Sequence, residues 1–193
     1  MVTLPVNKGK IGLPKAVSRG QSVLNLLLEL LDSTENTDDF SKLPISFFCI
    51  ATDVETGGEV LLERGSLPLA LRASGSFPTL LDPVVVGDNL LVDGGIANNF
   101  PVSIMKSKGI DIVIGVDVEG KLRKKENLSS AIDILNQIVS YEMYNKSSLE
   151  KEKLDVYIHP KISEYSVVSF DKKQEILEKG AIEAKKFTKI FKT

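Results

Sequence analysis

An apolar run that ends on a single carboxylate, with two glycines directly behind it, leaves few folds open to this chain. The stretch is Leu90-Leu91-Val92-Asp93-Gly94-Gly95-Ile96-Ala97-Asn98-Asn99-Phe100-Pro101. Leu90 to Val92 read as the end of a buried strand. Gly94 and Gly95 admit backbone angles with φ > 0 and leave room for another backbone or a ligand close by. Asn98 or Asn99 is suited to cap a helix whose first turn tolerates Pro101. The pattern predicts a carboxylate at the carboxyl end of a strand, on a sharp turn, ahead of a helix. Sites in open α/β sheets usually sit at such ends. Asp-Gly-Gly is also a common turn sequence, in which the aspartate makes only a local hydrogen bond. The tripeptide by itself favours that plain turn, and the sequence around it changes the weighting.

A chain of 193 residues suits one domain with a real core. Its net charge of -2 provides no basic footprint for nucleic acid. The one cysteine, Cys49, excludes an internal disulfide and any zinc site built from several thiolates. Cys49 lies in the apolar run Ile45 to Ala51 and is expected to be buried and inert. The one histidine, His159, excludes a two-histidine metal site within the chain. A Ser-His-Asp triad would have to use His159, whose place in Val156-Tyr157-Ile158-His159-Pro160 reads instead as a strand end. No metal or cofactor is expected. Met1 to Lys8 lack the apolar core of a signal peptide, and no apolar stretch approaches the roughly 20 residues of a spanning helix. The chain as it stands is expected to be soluble.

Along the chain, residues 1 to 20 read as an irregular leader punctuated by Pro5, Gly9, Gly12, Pro14 and Gly20. Ser22 to Asp32 predict a leucine-rich helix buried on most sides, with Ser22 as its N-cap. Leu43 to Ala51 read as a continuous strand of a parallel sheet, and Glu59 to Glu63 as a hairpin partner after Gly57-Gly58. Leu67 to Ser74 predict a short helix. Val84 to Val86 and Leu90 to Val92 predict a hairpin about Gly87-Asp88-Asn89. A helix over Pro101 to Ser107, stopped at Gly109, followed by a strand over Asp111 to Val118, completes a βαβ unit. Leu128 to Asn145 predict an amphipathic helix, and Leu154 to His159 a third strand. The last helix, from Lys172, carries Ile176, Leu177, Ala181, Ala184, Phe187 and Phe191 on one side. Lys179, Lys185, Lys186, Lys189 and Lys192 lie on the other. Such a face allows peripheral contact with an anionic membrane, although Glu175, Glu178 and Glu183 dilute it and a solvated face is the ordinary reading.

Four motifs in order then carry a resemblance. They are Ile50-Ala51-Thr52-Asp53-Val54-Glu55-Thr56-Gly57, Ala70-Leu71-Arg72-Ala73-Ser74-Gly75-Ser76-Phe77-Pro78, Val92 to Val102 around Asp93, and Gly109-Ile110-Asp111-Ile112-Val113-Ile114-Gly115-Val116-Asp117. In sequence and spacing the chain resembles the patatin-like phospholipases, most strongly over about residues 40 to 118. The tail, with Ser166-Val167-Val168-Ser169-Phe170-Asp171, is similar to bacterial envelope members that carry a further β-barrel domain. The resemblance implies an α/β, three-layer fold with a mostly parallel central sheet flanked by helices. It also implies a Ser-Asp dyad in which a serine on a G-x-S-x-G elbow attacks a lipid ester. Carried over, the dyad aspartate is Asp93, with Gly94 and Gly95 as the motif beside it.

The chain departs from the family's pattern first in that none of its residues forms G-x-S-x-G. The nearest match, Gly20-Gln21-Ser22-Val23-Leu24, lacks the second glycine and a preceding apolar strand. Ser74 and Ser76 are second candidates near the same motif. The glycine-rich loop that would offer N–H groups to an oxyanion is missing too. Residues 1 to 193 are therefore expected to be the carboxyl-terminal portion of one patatin-like domain. Such a portion supplies the aspartate and no nucleophile, and is inactive alone. The expected partners are a lipid or ester substrate and an amino-terminal segment or a second copy of the chain. A longer parent is compatible with the bacterial cell envelope. The alternative is a non-catalytic remnant or binding module that needs a partner segment. Dinucleotide binding is disfavoured, because the glycines after Val92 do not form G-x-G-x-x-G.

Overall fold

Short turns decide the strand pairing in the first half of the chain. The computed structural model describes residues 6–7, 10–11, 16–165 and 169–188. It divides the chain into two units, residues 1–99 and residues 100–193. In the first unit, β1 (Val6–Asn7) and β2 (Lys10–Ile11) form an antiparallel pair, so part of the expected irregular leader is strand. Residues 1–5, 8–9 and 12–15 lie outside the described residues. β3 (Ala16–Ser18) follows, and then α1 (Gln21–Leu30).

β4 (Cys49–Asp53) and β5 (Glu59–Leu62) form the expected hairpin. Asp53 closes its turn by accepting from the Glu55 N–H at 3.1 Å and the Thr56 hydroxyl at 3.0 Å. α2 (Leu67–Ser74) begins on Ser66, whose hydroxyl accepts from the Leu69 N–H, and ends at Gly75. β6 (Thr79–Leu81) pairs in parallel with β3. β7 (Val84–Val86) and β8 (Asn89–Asp93) form the second expected hairpin, with Gly87 at φ +59° in its turn. α3 (Gly95–Asn98) closes the unit.

The strand order β5-β4-β8-β7 makes a four-stranded sheet that is antiparallel throughout, with Ala51 opposite Asp93. The protein is α/β as expected, but among the described residues parallel pairing is confined to two-stranded sheets. In the two hairpins the reason is connection length. A turn over residues 54–58 or 87–88 joins antiparallel strands, whereas a parallel crossover needs about a dozen residues or more. α2 packs on this sheet, and the core gathers Phe40, Ala51, Leu62, Leu67, Ala70, Ala73 and Leu91.

Two expectations for this unit change. The strand expected over Leu43 to Ala51 begins only at Cys49. Ahead of it the chain folds back on Phe40, whose carbonyl accepts from the Leu43 and Phe47 N–H groups, and Ile45 is 84% exposed. The leucine-rich helix is not buried on most sides. No α1 residue is buried, and Val23, Leu26, Leu28 and Leu30 are exposed. Its leucines ring several faces, and its packing neighbour α2 covers one.

In the second unit, α4 (Val102–Ser107) precedes β9 (Ile114–Val116). α5 (Ala131–Lys151) then connects β9 to β10 (Val156–Ile158), which pairs with it in parallel. The parallel crossover is thus β9-α5-β10. Within its own unit each strand of the segment expected over Leu90 to Val118 has its partners: β8 bonds β4 and β7, and β9 bonds β10. α5 starts at a capping box: the Ser130 hydroxyl accepts from the Asp133 N–H, and the Asp133 carboxylate accepts from the Ser130 N–H. That box moves the helix start three residues past the expected Leu128. Phe100, Val102 and Val113 form the small core, with Met105 and Leu154 against it. The final helix, α6, spans Lys173–Lys185. Phe191, Lys189, Lys192 and the motif residues Ser166 to Val168 lie outside the described residues.

Candidate active site

Asp93 is the last residue of β8, behind Leu91 and Val92, which are buried. Its backbone is held on both sides. Its N–H donates to the Ser76 carbonyl at 3.0 Å, and its carbonyl accepts from the Thr52 hydroxyl at 2.7 Å. The next N–H, on Gly94, donates to the Ser74 carbonyl. A Cβ on Gly94 would stand 1.9 Å from the Ile50 carbonyl oxygen on β4. Gly94 is thus required for close approach. Its φ is -66°, so the left-handed angle anticipated from the two glycines is not what it supplies.

The Asp93 carboxyl group is half-buried. Its Oδ1 accepts from the Gly95 N–H at 2.8 Å, at the start of α3. No described residue donates to Oδ2. Burial pushes the carboxyl up from the ordinary carboxylate range, and the Gly95 bond only partly opposes it. The carboxylate is thus anchored through one oxygen, and the other takes no hydrogen bond from the described residues.

The serines nearby are differently placed. Ser76 is fully buried; its hydroxyl accepts from Arg72 Nη1 at 2.5 Å and donates to the Arg72 carbonyl at 2.7 Å. Ser76 is therefore a packing residue, tied down on both sides. Arg72 is itself buried, and donates also to the carbonyls of Arg19, Gly20 and Asp82. Burial lowers its proton affinity, and nearby Asp82 opposes that. Ser74 hydrogen-bonds the Cys49 thiol, whose pKa burial raises to about 11, in keeping with an inert cysteine. Ser22 is exposed and lies inside the first turn of α1. Gly20 is the N-cap instead, at φ +70°, where a Cβ would collide with the Arg72 guanidinium.

The asparagines anticipated as helix caps do not cap α4. Pro101 stands at its N-cap position, and Asn98 donates to Glu59 at 2.8 Å. The Glu150 carboxylate meets the helix start, accepting from the Ser103 N–H at 2.7 Å. His159 follows β10, stacks on Tyr157 and sets its Nδ1 3.2 Å from the Asp117 carbonyl. Among the described residues no group of three or more His, Cys, Asp or Glu side chains is placed to hold a metal ion. No described helix is long and apolar enough to cross a membrane.

A model of the patatin-like phospholipase family matches residues 6–106. The chain belongs to that family, a family of lipid hydrolases. An uncharacterized NTE family protein of Mycobacterium tuberculosis (strain ATCC 25618 / H37Rv) is 39% identical over 103 residues, which cover 53% of this chain and 17% of that protein. The lysophospholipase NTE1 of Debaryomyces hansenii is 28% identical over 161 residues, or 70% of this chain and 10% of that protein. A second NTE family protein, from Mycobacterium bovis, is 30% identical over 104 residues, covering 54% of this chain and 28% of its own length. The chain thus spans a minor part of the curated relatives it matches.

Proposed function

We propose that this chain supplies the proton-accepting half of a serine lipid acyl hydrolase site, with Asp93 as the general base of a Ser-Asp dyad. The observation that carries the reading is the state of the Asp93 carboxyl. It is half-buried, raised in proton affinity, fixed through Oδ1 by the Gly95 N–H, and bonded at Oδ2 by no described residue. A carboxylate at its ordinary pKa of about 3.9 is a weak base for a hydroxyl, and a raised one accepts a proton more readily.

In this reading the serine comes from a segment bearing G-x-S-x-G, which these 193 residues do not contain. The residues then form the carboxyl-terminal portion of a patatin-like domain. The serine Oγ forms a bond to the ester carbonyl carbon as its proton passes to Asp93. Asp93 returns that proton to the departing alcohol as the ester C–O bond breaks. Water then attacks the acyl-serine carbonyl and passes one proton to Asp93, which hands it to the serine Oγ as the acyl C–Oγ bond breaks, releasing the fatty acid and restoring the serine hydroxyl. The name of the yeast relative makes a lysophospholipid the first substrate to try.

The purified chain, given lysophosphatidylcholine, should release fatty acid no faster than buffer. Robust release that persists in Asp93→Ala would overturn the assignment. The competing reading, a non-catalytic binding module, draws on the same missing motif. It predicts that no segment carrying G-x-S-x-G restores hydrolysis.

A further inference from the structure

The turn that carries Asp93 is braced by a residue from another strand. Thr52 lies on β4 in register with Val92, one pair from Asp93. Its side chain is buried, at 3% exposure for the residue. The hydroxyl donates to the Asp93 carbonyl at 2.7 Å and accepts from the Ala97 N–H at 3.1 Å. One oxygen atom therefore touches both limbs of the turn, the end of β8 and the body of α3. The Gly95 N–H that anchors Asp93 Oδ1 at 2.8 Å lies between those two points. A β-branched side chain on a strand has few rotamers, so the hydroxyl is set before the turn closes on it.

The geometry points to Thr52 as a positioning residue for the Asp93 carboxylate. Without the hydroxyl, the Asp93 carbonyl loses that donor and the Ala97 N–H is left with the Gly94 carbonyl alone, 3.2 Å away. The turn then relaxes where Gly95 meets the carboxylate. Thr52 acts only through Asp93 and touches no reacting atom. The inference rests on the reading of Asp93 as a base for its catalytic meaning, but its geometry is testable without turnover.

The test is a carbon-13 NMR titration of the Asp93 carboxyl in the full 193-residue chain, with its resonance assigned by its loss in Asp93→Asn. Thr52→Val is isosteric and lacks the hydroxyl. Its expected result is an upward shift of the Asp93 midpoint, because a Gly95 N–H that no longer reaches Oδ1 no longer favours the charged form. Thr52→Ser retains the hydroxyl and should titrate with the unsubstituted chain. A folded Thr52→Val chain with an unchanged midpoint would overturn the proposal, reducing Thr52 to packing. A Thr52→Ser chain with a displaced midpoint would overturn it as well, and that variant decides the matter if Thr52→Val does not fold. Neither readout involves ester hydrolysis, so the positioning role and the hydrolase reading fail separately.

Discussion

Asp93 and Asp117 both follow a valine at the end of an apolar run, yet their surroundings treat the negative charge in opposite ways. Asp93 receives one backbone N–H, and burial raises its proton affinity. Asp117 is more deeply buried, at 3% exposure, and burial pushes it up too. Its partners outweigh that. Lys151 Nζ stands 2.7 Å from Oδ2, the Tyr157 hydroxyl donates at 2.5 Å, and the Glu119 N–H donates to Oδ1 at 2.9 Å. Together they hold Asp117 below the ordinary carboxylate range. Lys151 also pairs with Glu119, which accepts from the Ser147 hydroxyl. The Tyr157 phenol, partly desolvated and bonded to that carboxylate, is pushed up to about 12. Depth of burial therefore does not decide which way a carboxylate's proton affinity moves. The partners do: Asp117 is paired with a lysine and a tyrosine and held low, whereas Asp93 receives a single backbone N–H and is pushed up.

The largest effect should come from the turn itself. Gly94→Ala forces a Cβ against the Ile50 carbonyl, an overpacking with no flexible atom to yield. Urea unfolding should report a loss of about 4 kcal/mol or more. A loss of only a few tenths would mean that the strand and turn do not approach as described. Next comes Lys151→Met, which strands the Asp117 charge. The expected cost is about 3 kcal/mol, and the Asp117 midpoint should rise.

Acid titration sharpens the contrast through its sign. Asp117, with its folded value lowered, contributes stability that is present above the unfolded value of about 3.9 and lost as pH falls through the folded value. Asp93, with its folded value raised, costs stability above that value, and the cost disappears below about 3.9. At pH 7, Asp117→Asn should therefore lower the unfolding midpoint and Asp93→Asn should raise it. The Asp93→Asn gain should vanish below about pH 3.9, and the Asp117→Asn loss at still lower pH, below the folded value of Asp117. Shifts of the same sign at pH 7 would erase the distinction. The smallest effect belongs to Ser22→Ala. An exposed side chain that does not cap α1 should change stability by less than about 0.5 kcal/mol.

The parts of this structure legible in the sequence are those set by neighbours along the chain. α2 runs over the anticipated Leu67–Ser74, because Ser66, Pro68 and Gly75 mark its ends locally. Both hairpins follow from their turn residues. The carboxylate at a strand end before a helix was equally legible at Asp93. What escaped depends on partners far apart in sequence. A leucine-rich segment does not declare how many of its faces will find a neighbour, and α1 finds few. Thr52 and the Arg72–Ser76 pair stand within motifs read for their resemblance alone. Nothing local marks their bonds to the Asp93 turn or, for Arg72, to carbonyls more than fifty residues upstream. Lys151 and Asp117 lie at opposite ends of the β9-α5 segment, where only the crossover brings them together.

The most direct measurement is ester release by this chain combined with a separately expressed segment bearing the glycine-rich loop and G-x-S-x-G of a patatin-like relative. With the unsubstituted chain, fatty acid should be released from lysophosphatidylcholine. With Asp93→Asn in a chain that still folds, the rate should fall by about a hundredfold or more, as expected on loss of a general base. Release that is restored and proceeds undiminished in Asp93→Asn would contradict the account.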